Sequence, residues 1–149
     1  MQTLHCTILI NADKKKVWNT MLNENTYREW TKEFHADSSY EGNWNKDSEI
    51  RFIAPDQNGK RQGIFSRIKE NILYQFISIE HLGLIVNGEV DTVSEEAKKW
   101  MPSFENYTFT ENNGETELTI EMQVEEEYKS MFEAMWKKAL TALKLLCEK

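Results

Sequence analysis

The chain has 149 residues, enough for one domain with a real core, and carries 18 Lys+Arg against 25 Asp+Glu, a formal net charge of −7. That balance works against gripping a polyanion, which is done chiefly through clustered cations, and Lys14-Lys15-Lys16 is the only run of three. DNA and RNA are therefore excluded as partners, and micromolar protein is expected to show no salt-sensitive retention of either.

No stretch approaches the roughly 18 apolar residues of a membrane span, and Met1-Gln-Thr-Leu-His5 lacks a basic segment leading into an apolar one. The chain is read as soluble and cytoplasmic. Cys6 and Cys147 show no CxxC spacing and are read as reduced, packed thiols. With no long linker, repeat or low-complexity segment, residues 1–149 form a single domain on this reading.

Leu4, Cys6, Ile8 and Ile10 alternate with Thr3, His5, Thr7 and Leu9, a period of two that predicts a first strand with one face inward. Asp13 is the expected N-cap of a short helix with Val17, Trp18, Met21 and Leu22 as its buried stripe. Asn25 is the expected cap of a second short helix presenting Tyr27, Trp30 and Phe34. Short strands with turn punctuation follow: Asn43–Lys46, Glu49–Ala54, Gly63–Lys69 and Leu73–Leu82, with a turn at Pro55–Gly59. Gly83–Pro102 interrupts this rhythm, with an Asn87-Gly88 turn and a helical turn over Ser94–Trp100. It is read as a long connection that either closes as a lid over a cavity rim or rests as a static surface loop covering core.

Phe104–Thr110 and Glu115–Val124 are the last two strands, joined by the hairpin signal Asn112-Asn-Gly114. In the last segment Phe132, Met135, Trp136, Ala139, Leu140, Leu143, Leu146 and Cys147 recur at three- and four-residue steps, which predicts an amphipathic helix over Tyr128–Glu148. The order of strand, two short helices, five or six strands and long helix is that of an α+β domain, with a curved antiparallel sheet packed on the last helix.

The segments Ile10–Trp18, Trp30, Trp44 with Glu49-Ile-Arg-Phe52, Glu105-Asn-Tyr107-Thr-Phe109, Gly114–Leu118 and Trp136–Lys144, in this order and spacing, resemble the helix-grip superfamily typified by START and the birch-pollen allergen domains (SRPBCC). Within it they are most similar to the bacterial branch related to the C-terminal domain of the Hsp90 ATPase activator. The resemblance implies a seven-part sheet wrapped around the C-terminal helix, with a cavity between them for lipids, sterols, polyketides or other apolar small molecules. It leaves three functions open, since one fold hosts many. These are ligand binding, contact with a protein partner or a second copy of the chain, and cyclase or hydrolase chemistry in the same cavity.

Cavity sites are mostly apolar with a few orienting polar groups. The candidates are Trp30 and Phe34 from the second helix, Phe52, Phe65, Phe76 and Tyr107 from strands, Met122 from the last strand, and Met135, Trp136 and Leu140 from the long helix. All of them also read as ordinary core residues. Arg67 shares strand parity with Phe65 and would hold a carboxylate or phosphate head group if that face is inward; with the other register it is a surface residue. His81 is a candidate general base or a structural histidine, and Glu80 points to the other face. His5, His35 and His81 are not spaced for a metal, and GxSxG, HExxH and Gly-rich phosphate loops are missing, so no cofactor is expected.

Overall fold

The computed structural model describes residues 1–149. Strand β1 (Gln2–Ile10) leads into α1 (Lys14–Leu22) and α2 (Glu24–Trp30), the latter extended by one 3-10 turn at Thr31–Glu33. Asp13 caps α1 by accepting from the Lys16 amide at 2.8 Å. The cap of α2 is Asn23 rather than Asn25: its side chain accepts from the Asn25 amide at 3.0 Å, so the helix begins before the position read from sequence.

The sheet continues with β2 (Ser39–Gly42), β3 (Glu49–Ile53), β4 (Gly63–Ile72), β5 (Phe76–Val86) and β6 (Glu89–Asp91). After α3 (Glu95–Trp100) come β7 (Ser103–Asn112), β8 (Glu115–Val124), a 3-10 turn at Glu126–Tyr128 and α4 (Lys129–Cys147). All pairings are antiparallel, in the order β1-β8-β7-β5-β4-β3-β2. One edge of β5 is shared, with β7 paired along Phe76–His81 and β6 along Leu84–Val86. The result is a curved eight-stranded sheet with α4 against it, the α+β helix-grip architecture, with one strand more than the seven-part sheet expected.

Pairing fixes which side chains share a face, because residues directly opposite lie on the same side. Cys6, Ile120, Tyr107 and Ile77 form one inner row across β1, β8, β7 and β5, and Leu4, Met122, Glu105 and Ile79 form the next. The row members Leu4, Ile77, Ile79 and Ile120 are fully buried. Against this face α4 buries Trp136, Ala139, Leu140, Leu143 and Cys147, with Phe132 and Leu146 packed partly over the core. Each large side chain so buried contributes about 1.5–3 kcal/mol. The end of α4 is tied to the end of β1, since Glu148 Oε2 accepts from the Asn11 amide at 2.7 Å and Lys144 Nζ donates to the Leu9 carbonyl at 2.8 Å. The Lys144 ammonium, with the Asn11 amide, holds the Glu148 carboxyl below its usual range. Both cysteines are free thiols whose pKa is raised mainly by burial.

Two segments depart from expectation. The strand read at Asn43–Lys46 lies earlier, at Ser39–Gly42; the Asn43 side chain instead accepts from the Asn45 amide, and Asp47 has φ 69°, so the chain turns where a strand was expected. Gly83–Pro102 is not a free connection, because β5 runs on to Val86 and folds back at Asn87-Gly88 into β6. Ser94 then caps α3, buried Ala97 anchors it, and the Trp100 ring rests on Tyr128 with centroids 5.3 Å apart.

Candidate functional site

Three elements that do not close on one another leave a cavity of about 320 Å³ between the sheet and α4. The segment from α2 into the following turn contributes Tyr27, Trp30, Thr31, Phe34, His35 and Ser38. The inner face of the sheet adds Phe52, Ala54, Ile64, His81, Glu105, Tyr107 and Met122, and the first turns of α4 add Phe132, Met135 and Trp136. Eleven of the sixteen lining residues are hydrophobic, so the wall rewards burial of an apolar body.

The first of these segments is held by aromatic packing and backbone acceptors. Trp30 Nε1 donates to the Met21 carbonyl at 3.0 Å, and the Tyr27 ring meets Trp30 and Tyr40 edge to face at 5.4 and 5.0 Å. Tyr40 OH and Trp44 Nε1 both donate to the Leu22 carbonyl, at 2.6 and 3.2 Å, which binds the helical hairpin to the β2–β3 edge. Trp136 completes the wall, its ring centroid 4.9 Å from Phe34, 6.0 Å from Trp30 and 6.2 Å from Tyr107.

At one end of the cavity polar groups converge across β4, β5 and β7. Ser66 Oγ lies 2.7 Å from His81 Nδ1, His81 Nε2 lies 3.0 Å from Glu105 Oε1, and the Tyr107 hydroxyl donates to Glu105 Oε2. A carboxylate only accepts, so Nε2 carries a proton, and in the neutral ring Nδ1 accepts from the Ser66 hydroxyl. Burial, reinforced by the charge of Glu105, pushes the pKa of Tyr107 far up and that of Tyr27 likewise, so both phenols remain donors.

Serine, histidine and glutamate in sequence suggest a hydrolytic triad, but the geometry is against it. The serine contacts Nδ1 and the carboxylate Nε2, the reverse of the usual assignment, and Ser66 has no exposed surface and does not line the cavity. Both nitrogens of His81 are hydrogen-bonded within the protein, so in the neutral ring its lone pair is directed at Ser66 rather than at the cavity.

Of the candidates read from sequence, Trp30, Phe34, Phe52, Tyr107, Met122, Met135 and Trp136 line this cavity. Four do not. In β4 the inward residues are Ile64, Ser66 and Ile68, so Phe65 and Arg67 lie on the outer face. There the Arg51 guanidinium covers the Phe65 ring at 5.4 Å, and Arg67 Nη2 donates to Glu80 Oε1 at 2.8 Å. Phe76 lies opposite Thr108, on the outer face, because Ile77, Ile79 and His81 take the inner one. Leu140 is buried in the core and does not line the cavity.

Sequence reasoning missed Tyr27, Phe132 and above all Glu105, although Glu105 stands two residues before Tyr107 in one strand and parity alone gives it the same face. The lid expected over 83–102 is also absent from the site, since none of those residues lines the cavity.

Neither a protein-family model nor a curated protein sequence matches the chain. Solved structures do. Protein CV1439 from Chromobacterium violaceum superposes with a TM-score of 0.71 at 12% identity, covering 100% of this chain and 99% of the other. The Aha1 dimer from Colwellia psychrerythraea gives 0.71 at 16% identity, with 99% and 97% covered. CalU16 from Micromonospora echinospora gives 0.65 at 13% identity, with 97% and 75% covered. These likenesses extend over nearly the whole chain and show a shared fold, the helix-grip fold expected from the sequence.

Proposed function

We propose that this chain, which has the helix-grip fold of the START and birch-pollen allergen superfamily, is a single domain that binds an apolar small molecule with one polar end. The observation that carries the reading is the cavity itself: about 320 Å³ lies open between the sheet and α4, walled by aromatic rings and methionines and polar at one end. The closed hydrogen bonding of His81 supports binding over proton transfer by that residue.

Native mass spectrometry of freshly purified protein is expected to show a co-purifying small molecule. N-phenylnaphthylamine, a neutral apolar fluorophore, is expected to bind and to alter the emission of Trp30 and Trp136, which line the cavity. Ala54→Trp, which adds bulk to the wall, is expected to weaken that binding about tenfold or more while costing about 1–3 kcal/mol of stability or less. Unchanged affinity in a folded Ala54→Trp protein would place the probe elsewhere.

A second reading, an interaction module, is supported by the structural likeness to the Aha1 dimer. The same mass spectra test it, because a homodimer without any small molecule would favour association over ligand binding.

A further inference from the structure

The polar end of the cavity is electrostatically one-sided. Glu105 is the only Asp or Glu among the lining residues, and no Lys or Arg accompanies it. Its side chain is only 14% exposed, and its hydrogen-bond partners are a phenol and an imidazole. With the ring neutral those donors stabilise a carboxylate without cancelling its charge, and they leave part of its accepting capacity free, since two oxygens offer about four lone-pair sites. Arg67, which could have neutralised it from an inward register, is paired with Glu80 on the far face of the sheet.

A buried carboxylate gains from an opposite charge, and no permanently charged side chain of the lining supplies one. The aromatic character of the walls favours the same sign: Tyr27, Trp30, Phe34 and Trp136 all line the cavity, and an aromatic ring attracts cations and does nothing for anions. A fatty acid or phosphate ester would bring a second negative charge beside Glu105 with no arginine or lysine to receive it. The chain's formal charge of −7 adds to this preference at long range.

We infer that the ligand is a cationic amphiphile, an apolar body bearing a protonated amine that seats against Glu105. This rests on the ligand-binding reading above and narrows it by excluding anionic lipids. The other lining polar groups, Ser38, Thr31 and His35, supply hydrogen bonds around the same ligand without supplying a fixed positive charge.

The test compares decylamine, decanol and decanoate, which share an alkyl chain and differ in head-group charge, as competitors of N-phenylnaphthylamine at neutral pH. Decylamine is expected to bind about tenfold or more tighter than decanoate, with decanol between them. Glu105→Gln is expected to bring decylamine to the level of decanol and to improve decanoate. If decanol competes but decanoate equals or exceeds decylamine, the inference is overturned and the binding reading stands. If none of the three competes and the fluorophore itself does not bind, the binding reading falls and the inference with it. The wild-type ranking decides the matter even where the Glu105→Gln protein does not fold.

Discussion

Trp136→Ala is expected to lower stability by about 3–5 kcal/mol, the usual cost of truncating a large core aromatic. The indole is 3% exposed and sits where the α2 region, the sheet and α4 meet. It meets Phe34 edge-on at 4.9 Å, Trp30 at 6.0 Å and Tyr107 at 6.2 Å, so one ring on α4 joins the α2 region to the sheet. Its Nε1 donates to Met122 Sδ at 3.4 Å, a weak bond whose loss adds little. Dispersion and area burial therefore carry the effect. Urea melts should report it as a lower midpoint with a nearly unchanged slope. A loss below about 1 kcal/mol would mean that the ring is not in the core.

Gly63→Ala is the second large effect, at about 2–3 kcal/mol, and its origin is backbone crowding rather than lost burial. A Cβ at this position would lie 1.9 Å from the Phe52 carbonyl oxygen, 2.9 Å from the Phe52 carbonyl carbon and 3.1 Å from Ile53 Cα. None of these atoms can rotate away, so β3 and β4 must separate where Ile53 pairs with Gly63. Phe52, Ala54 and Ile64 border that pairing and line the cavity, so binding of N-phenylnaphthylamine should weaken as well. Gly59→Ala is the control. Nothing lies within 4 Å of its added Cβ, leaving only the cost of a φ of +77°, about 1 kcal/mol. Equal midpoints for the two variants in urea would remove the crowding argument.

The parts of the fold legible in the sequence are those with one unambiguous period. β8 was read at its observed bounds, Glu115–Val124, because apolar and polar residues alternate through it and Asn113-Gly114 turns the hairpin with φ of 55° and 82°. The stripe of α4 was legible for the same reason: the buried residues are the ones spaced by three and four. β4 and β5 resist such reading, since both of their faces carry apolar side chains. Phe65 and Phe76 look like core residues until Ser66 and His81 are seen to take inward positions through mutual hydrogen bonding. Pattern reasoning assigns aromatics inward and Ser or His outward, and the polar network at the cavity end reverses both. Glu105 escapes pattern reasoning for a related cause, since a glutamate in a strand ordinarily faces solvent.

The pairing of β1 with β8 also bears on how the molecule is made. Thr7 and Thr119, neighbours across that ladder, are 112 positions apart in the chain. As the polypeptide emerges in order, β1 has no strand to join until β8 is available, and its apolar inner row has no helix to cover it until α4 follows. Joining strands so distant requires the loop-closure entropy to be met before the contacts return it, which slows folding and prolongs the life of open, adhesive intermediates. During that interval the polar residues that alternate along β1, His5 and Thr7 among them, keep one of its faces wettable while its edge waits for a partner.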